Sequence, residues 1–273
     1  MTFNRLLVMA GMGLIFVGCA VSSVDQSATG SAEAVTLGAG GRPAAVPWSR
    51  SPVYGRNGMA ATAHPLASQV AIDILKQGGS ALDGAIAANA ALGLMEPTGN
   101  GIGGDVFFII WDPKTQQLYG YNGSGRAPLE RSLIDLKSQI ASLRQSGAMP
   151  EDMLGIPQRG SLPVTVPGTV DGWFAAHARF GTLPMSDVLA PTIRYAREGF
   201  PITPVIAYYF ERNLNAFRDQ EALIEELDNA AALWFPKGRT PKAGEVFRNP
   251  DLANTLEILG NEGRAAFDQG RLA

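Results

Sequence analysis

Between Gly84 and Met95 the chain reads Gly-Ala-Ile-Ala-Ala-Asn-Ala-Ala-Leu-Gly-Leu-Met, with Asn89 its only polar residue. A helix with no polar face must be covered on every side. This segment therefore predicts a central helix inside a layered α/β protein, its small side chains allowing a sheet to approach closely. Asn89 is expected to be a satisfied core hydrogen bonder rather than a catalytic group.

The flanking residues place neighbours around it. Met59–Thr62 reads as a short strand that His64-Pro65 ends, with Pro65 suited to the first turn of a helix. Leu66, Val70, Ile74 and Leu75 then recur at helical spacing, and Gly78-Gly79 is a stop where positive φ costs little. Ser80 with Asp83 has the form of a capping box for the central helix. After Glu96-Pro97 comes Gly99-Asn100-Gly101-Ile102-Gly103-Gly104, whose spacing matches a dinucleotide-binding loop. That motif needs a strand before it and a helix after it. Here the order is reversed, because the apolar strand Val106–Trp111 follows, so the loop is read as a close backbone approach. A turn at Asp112–Thr115 and a returning strand over Gln117–Asn122 complete a hairpin. It leads into Gly123-Ser124-Gly125-Arg126-Ala127-Pro128. An arginine at such a strand end either grips a substrate carboxylate through a bidentate fork or pairs with a structural Asp or Glu.

The net charge of −3 offers no basic stripe for nucleic acid, and two histidines make a metal site a poor expectation. Arg5, the apolar run Leu6–Val17 and Gly18-Cys19 have the form of a lipoprotein-type signal peptide, residues 1–19, with Cys19 as the lipid attachment point. The competing reading is an ordinary cleaved secretory signal. Either one places the mature protein on the periplasmic side, with the lipid anchoring it to the membrane. Cys19 is the single cysteine, so no intramolecular disulfide forms. Residues 20–52, rich in Ser, Ala, Gly and Pro, read as a flexible linker, and the folded domain is expected over 53–273.

The order of motifs from Gly58 to Pro128 resembles the start of the large subunit of gamma-glutamyltransferases. So do Val166-Pro167-Gly168-Thr169-Val170-Asp171-Gly172-Trp173, Phe180-Gly181-Thr182-Leu183-Pro184 and Ala196-Arg197-Glu198-Gly199-Phe200. Leu252–Leu256 and Phe267–Gly270 extend the resemblance to the last residues. It implies an α/β fold, the αββα sandwich of N-terminal nucleophile hydrolases, incomplete in this chain. It also implies acyl transfer from a gamma-glutamyl amide such as glutathione to water or an amino acid, with no cofactor. The family's nucleophile is a threonine freed by self-cleavage, in a Thr-Thr-His segment opening the small subunit. No such segment occurs in these 273 residues, and Thr62-Ala63-His64 is a superficial echo. No catalytic residue is therefore assigned, and the polypeptide as written is expected to be truncated, silent, and dependent on the missing C-terminal part. An uncovered apolar sheet face is expected with it.

Aligned on Ala127-Pro128, the family's carboxylate-binding arginine falls at Ser124, whereas this chain has Arg126. If the strand persists, positions 124 and 126 share a face about 6–7 Å apart, making Arg126 the substrate-binding candidate. The displacement favours an acylase-like relative over a glutathione enzyme. The alternatives are a catalytically inactive lipoprotein that retains the fold fragment, and a cephalosporin-acylase-type amidase. Elsewhere, Thr169 is expected to cap the helix Val170–Arg179, with Trp173 and Phe174 in the core. His177 is read as a packing or surface residue, Arg194 and Arg197 as a solvated face, and Tyr208-Tyr209-Phe210 as core.

Overall fold

In the computed structural model, the residues described are 53–150 and 152–273. The signal-peptide, linker and Cys19 readings lie outside them. The polar-free segment forms helix α2, Ala81–Met95, behind α1, Pro65–Lys76. Ten of the fifteen α2 residues are buried, among them Ile86, Ala87, Ala91 and Leu94. A Cβ added at Gly84 would lie 3.3 Å from the Ala71 carbonyl oxygen, so glycine permits this close helix–helix approach. The main neighbours of α2 are helices: α1, α4 (Thr169–Phe180) and α5 (Met185–Glu198). The expectation that α2 packs on a sheet is thus corrected, because its small residues serve helix contacts.

Both local caps form. His64 is the N-cap of α1, its Nδ1 accepting the Leu66 N–H at 3.2 Å with Pro65 in the first turn. Ser80 and Asp83 make a reciprocal capping box on α2. Asp83 is fully buried, and its Oδ2 also accepts the N–H groups of Thr182 (2.9 Å) and Leu183 (3.2 Å), which ties α2 to the α4–α5 turn. His177 lies beside it: Nε2 stands 2.7 Å from the Leu183 carbonyl oxygen and 3.6 Å from Asp83 Oδ1. A carbonyl only accepts, so Nε2 is the protonated nitrogen.

Strands β1 (Val106–Asp112) and β2 (Gln117–Gly123) pair antiparallel, with Val106 opposite Gly123 and Asp112 opposite Gln117. Alternation sorts the apolar residues of β1 onto two faces. Val106, Phe108 and Ile110 turn towards α4 and the core, whereas Phe107, Ile109 and Trp111 are 62%, 82% and 55% exposed. The expected uncovered apolar face is therefore present on this hairpin. A second pair, β3 (Phe200–Pro201) with β4 (Val246–Phe247), closes a small aromatic core. In it Trp234 stacks on Phe247 at 5.2 Å and Phe210 lies 6.1 Å from Phe247.

The remaining elements are α3 (Leu133–Gln145), α6 (Pro204–Arg218), α7 (Leu227–Trp234), α8 (Pro250–Glu262) and α9 (Ala265–Asp268). Helix α8 packs along α5 and adds Ala253, Leu256 and Leu259 to the core. On the solvent side of that contact Arg197 is paired with Glu257 at 2.5 Å, while Arg194 lies over the ring of Tyr195. Tyr209 and Phe210 are buried and Tyr208 half-buried. Trp173 is buried, and its Nε1 donates to Asn89 Oδ1 at 2.8 Å, which satisfies the one polar residue of the central segment.

Two local expectations are corrected. Residues 59–62 are not a strand: Thr62 turns back on itself, with Oγ1 donating to the His64 carbonyl and its N–H donating to Ser68 Oγ. Thr169 does not cap α4 but is its first residue, after Gly168. Its hydroxyl donates to the Gly101 carbonyl at 3.3 Å instead.

Candidate functional site

The glycine loop, the hairpin end and the Val166–Trp173 motif meet at one place. The N–H groups of Gly168 and Thr169 both donate to the Gly104 carbonyl at 3.0 Å. The loop runs from a helix into a strand, opposite to the order a dinucleotide site needs. The expected close backbone approach is corrected for this run, since a Cβ added at Gly99, Gly101 or Gly103 would meet nothing within 4 Å. A Cβ at Gly168 would stand 2.2 Å from the Gly123 carbonyl oxygen, so the backbones meet without room for a side chain.

Strand β2 ends at Gly123, and Gly125 has φ +71°. The expected continuation of the strand through positions 124 and 126 is therefore corrected. The left-handed residue breaks the extended geometry, and the two positions do not share a pleated face. A Cβ at Gly125 would fall 1.9 Å from the Val166 carbonyl oxygen, so both conformation and space require glycine. The next residue is pinned by its backbone, since the Val166 N–H donates to the Arg126 carbonyl at 2.9 Å. Ser124 is fixed by its N–H donating to Asn122 Oδ1 at 3.0 Å.

Thus Arg126 sits on a rigid stalk while its side chain is exposed. Among the described residues no carboxylate or carbonyl accepts from its guanidinium; the ion pairs there all involve other side chains. The structural-pairing alternative for Arg126 is not what the described residues form. A held backbone and an unused planar fork suit recognition of an incoming carboxylate.

A nearby polar group went unread in the sequence. Tyr121, on β2, donates its hydroxyl to Asp171 Oδ2 at 2.8 Å, and Arg264 Nη1 lies 2.6 Å from Asp171 Oδ1. Arg264 Nε in turn donates to Asp268 Oδ2 at 2.6 Å. Burial, and then the Asp171 carboxylate, push the Tyr121 phenol above its ordinary value. This group joins the hairpin, α4 and α9. Asp171 lies in the Pro-Gly-Thr-Val-Asp motif, but its partners are distant in sequence and carry no local signal.

Comparison with known proteins gives this arrangement a context. The fold is the α/β fold of N-terminal nucleophile hydrolases. The structure of a cephalosporin acylase from Bacillus halodurans matches with TM-score 0.73 and 39% identity, over 84% of this chain and 41% of that one. Helicobacter pylori gamma-glutamyltranspeptidase matches with TM-score 0.67 and 26% identity, over 82% and 59%. The family model for gamma-glutamyltranspeptidase covers residues 67–273, and the chain belongs to that family. Among sequence relatives, the glutathione hydrolase-like YwrD proenzyme of Bacillus subtilis is 34% identical over 81% of this chain. The oxamate amidohydrolase proenzyme of Klebsiella pneumoniae is 35% identical over 80%. The chain spans 38% of the length of each of those two relatives.

Proposed function

We propose that this chain is the substrate-gripping front portion of an amide acyltransferase, with Arg126 as the contact for a carboxylate on the acyl donor. The observation that carries the reading is a guanidinium that no carboxylate or carbonyl among the described residues holds, on a backbone fixed by Gly125 and Val166. The resemblance supplies the chemistry. A threonine hydroxyl on the nucleophile-bearing polypeptide attacks the amide carbonyl, with the threonine's own α-amino group taking the proton. The amine leaves protonated and an acyl ester remains on the threonine. Water or an amino acid then attacks the ester, which releases the acid or a new amide and restores the hydroxyl. No residue of this chain is assigned a bond-making role in those steps, and none of them calls for a metal or cofactor.

The donor is a gamma-glutamyl amide or a related acyl amide. The glutathione hydrolases and the oxamate amidohydrolase among the relatives support small amide substrates as the class. A second reading, a cephalosporin-acylase-type amidase, is favoured by the arginine at 126 in place of 124 and by the TM-score of 0.73 to the cephalosporin acylase. We also place the mature protein on the periplasmic side of a membrane, held by a lipid on Cys19. The apolar run that ends in Gly18-Cys19 supports this.

The test uses the enzyme with its Thr-Thr-His segment present, continuous with these residues or added to them, and supplies gamma-glutamyl and glutaryl anilides separately. Release of the aniline with an acyl adduct on the threonine, seen by mass spectrometry, is the expected result. Preference for the glutaryl donor selects the acylase reading. No release from either, and no adduct, rejects acyl transfer.

A further inference from the structure

Away from Arg126, a cavity of about 330 Å³ opens between α6, α7 and the segment after α2. Its walls include four aromatic side chains, Phe210, Phe217, Trp234 and Phe235. The first and third pack at 5.6 Å and the second and fourth edge-to-face at 6.4 Å, so the rings are mutually braced rather than loose. Aromatic walls favour a flat, apolar guest through stacked and edge-on contacts.

The polar groups make the cavity selective. Arg159 is the one cation among its lining residues, and no carboxylate lines it. Of the Arg159 guanidinium donors, Nη1 is used by Gln220 Oε1 at 3.2 Å, and the others have no acceptor among the described residues. Asn213 Nδ2 donates to the Tyr209 carbonyl at 2.8 Å, which fixes the amide and leaves its oxygen without a donor among the described residues. A braced aromatic slot with a cationic fork at its edge, only one of whose nitrogens is taken, by Gln220, has the chemistry of a site for an aromatic acid.

We propose that this cavity binds a small aromatic carboxylate, with the ring between Phe217 and Trp234 and the carboxylate on Arg159. The proposal is independent of the acyl-transfer reading, since none of these residues belongs to the Arg126 segment. Indole-3-acetate is a suitable probe, and its neutral amide is the matched control. With about 13 non-hydrogen atoms at ordinary ligand efficiency, a Kd of about 1 mM is expected.

The experiment is an NMR titration of the full chain, following the Trp234 indole N–H assigned with a Trp234→Phe variant. Saturable shifts are expected, with the acid binding about 10-fold tighter than the amide. Arg159→Gln, a half-exposed change that leaves the aromatic walls intact, should abolish that preference without altering amide binding. Phe217→Leu should weaken acid and amide alike. The proposal is overturned by absence of saturable shifts below 20-fold excess over about 1 mM. Equal binding of acid and amide to the unaltered protein, or an acid preference that survives Arg159→Gln, overturns it as well.

Discussion

Asp83 offers the sharpest perturbation of the frame that carries the candidate site. Its carboxylate has no solvent exposure, and one oxygen, Oδ2, accepts three backbone N–H groups: Ser80 at 2.8 Å, Thr182 at 2.9 Å and Leu183 at 3.2 Å. Hydrogen bonds to a charged acceptor contribute about 1.5–3 kcal/mol each, and a buried donor left without a partner costs about 1–3 kcal/mol. Against this stands the desolvation of the carboxylate, which its removal relieves. For Asp83→Ala the capping box is lost and the two tethers to the α4–α5 turn open, so a net loss of about 4 kcal/mol is expected. Asp83→Asn keeps one acceptor oxygen but loses the charge. It also sets an amide NH₂ where Oδ1 faces the His177 Nε2 proton, so about 2 kcal/mol is expected. Urea denaturation of the chain followed by circular dichroism measures both, and the difference should be insensitive to salt because the site is shut off from solvent. An Asp83→Ala variant within 1 kcal/mol of the parent, by the scale of surface substitutions, refutes the reasoning.

Other outcomes follow from single contacts. His64 is buried and neutral, with Nδ1 occupied by the Leu66 N–H, Nε2 without a partner among the described residues, and burial lowering its pKa below the ordinary 6.5. The unfolded chain thus binds a proton that the folded chain resists. The His64 contribution is full above about pH 6.5 and is lost as pH falls through the depressed folded value. His64→Asn keeps the N-cap and should flatten the acid side of a Tm-against-pH profile. Gly125→Ala must fit a Cβ against the Val166 carbonyl at φ +71°, so it should cost at least about 1–2 kcal/mol in urea denaturation. The same variant should impair substrate binding, read from KM, more than any other glycine substitution in the loop. Cys19→Ser should move the protein from the membrane fraction to the soluble periplasmic fraction, as seen by immunoblotting.

The elements whose signals are local were legible in the sequence. The polar-free run, the Ser80–Asp83 box and the apolar run Val106–Trp111 each declare their structure within a dozen residues. The loop at Gly99–Gly104 was separable from a nucleotide site because its neighbours come in the wrong order. What was not legible depends on partners far along the chain. Asp83 reads as a cap, and nothing near it announces Thr182 and Leu183. Asp171 reads as part of a motif, without Arg264. Thr169 carried a capping residue's identity, but the Gly101 carbonyl drew its hydroxyl away, and the turn at Gly125 was hidden behind a strand that looked able to continue. Arg126 was legible as a candidate; its lack of a structural partner among the described residues was not.

The most direct measurement of the central claim is the kinetics of Arg126→Ala and Arg126→Lys in the assembled enzyme, with gamma-glutamyl p-nitroanilide as donor. Loss of a bidentate charge-assisted contact of about 2–3 kcal/mol predicts a KM about 30- to 150-fold higher for alanine, with kcat little changed. Lysine, a point charge without the fork, should recover only part of that. A KM for Arg126→Ala equal to that of the unaltered enzyme contradicts the assignment of Arg126 as the carboxylate contact.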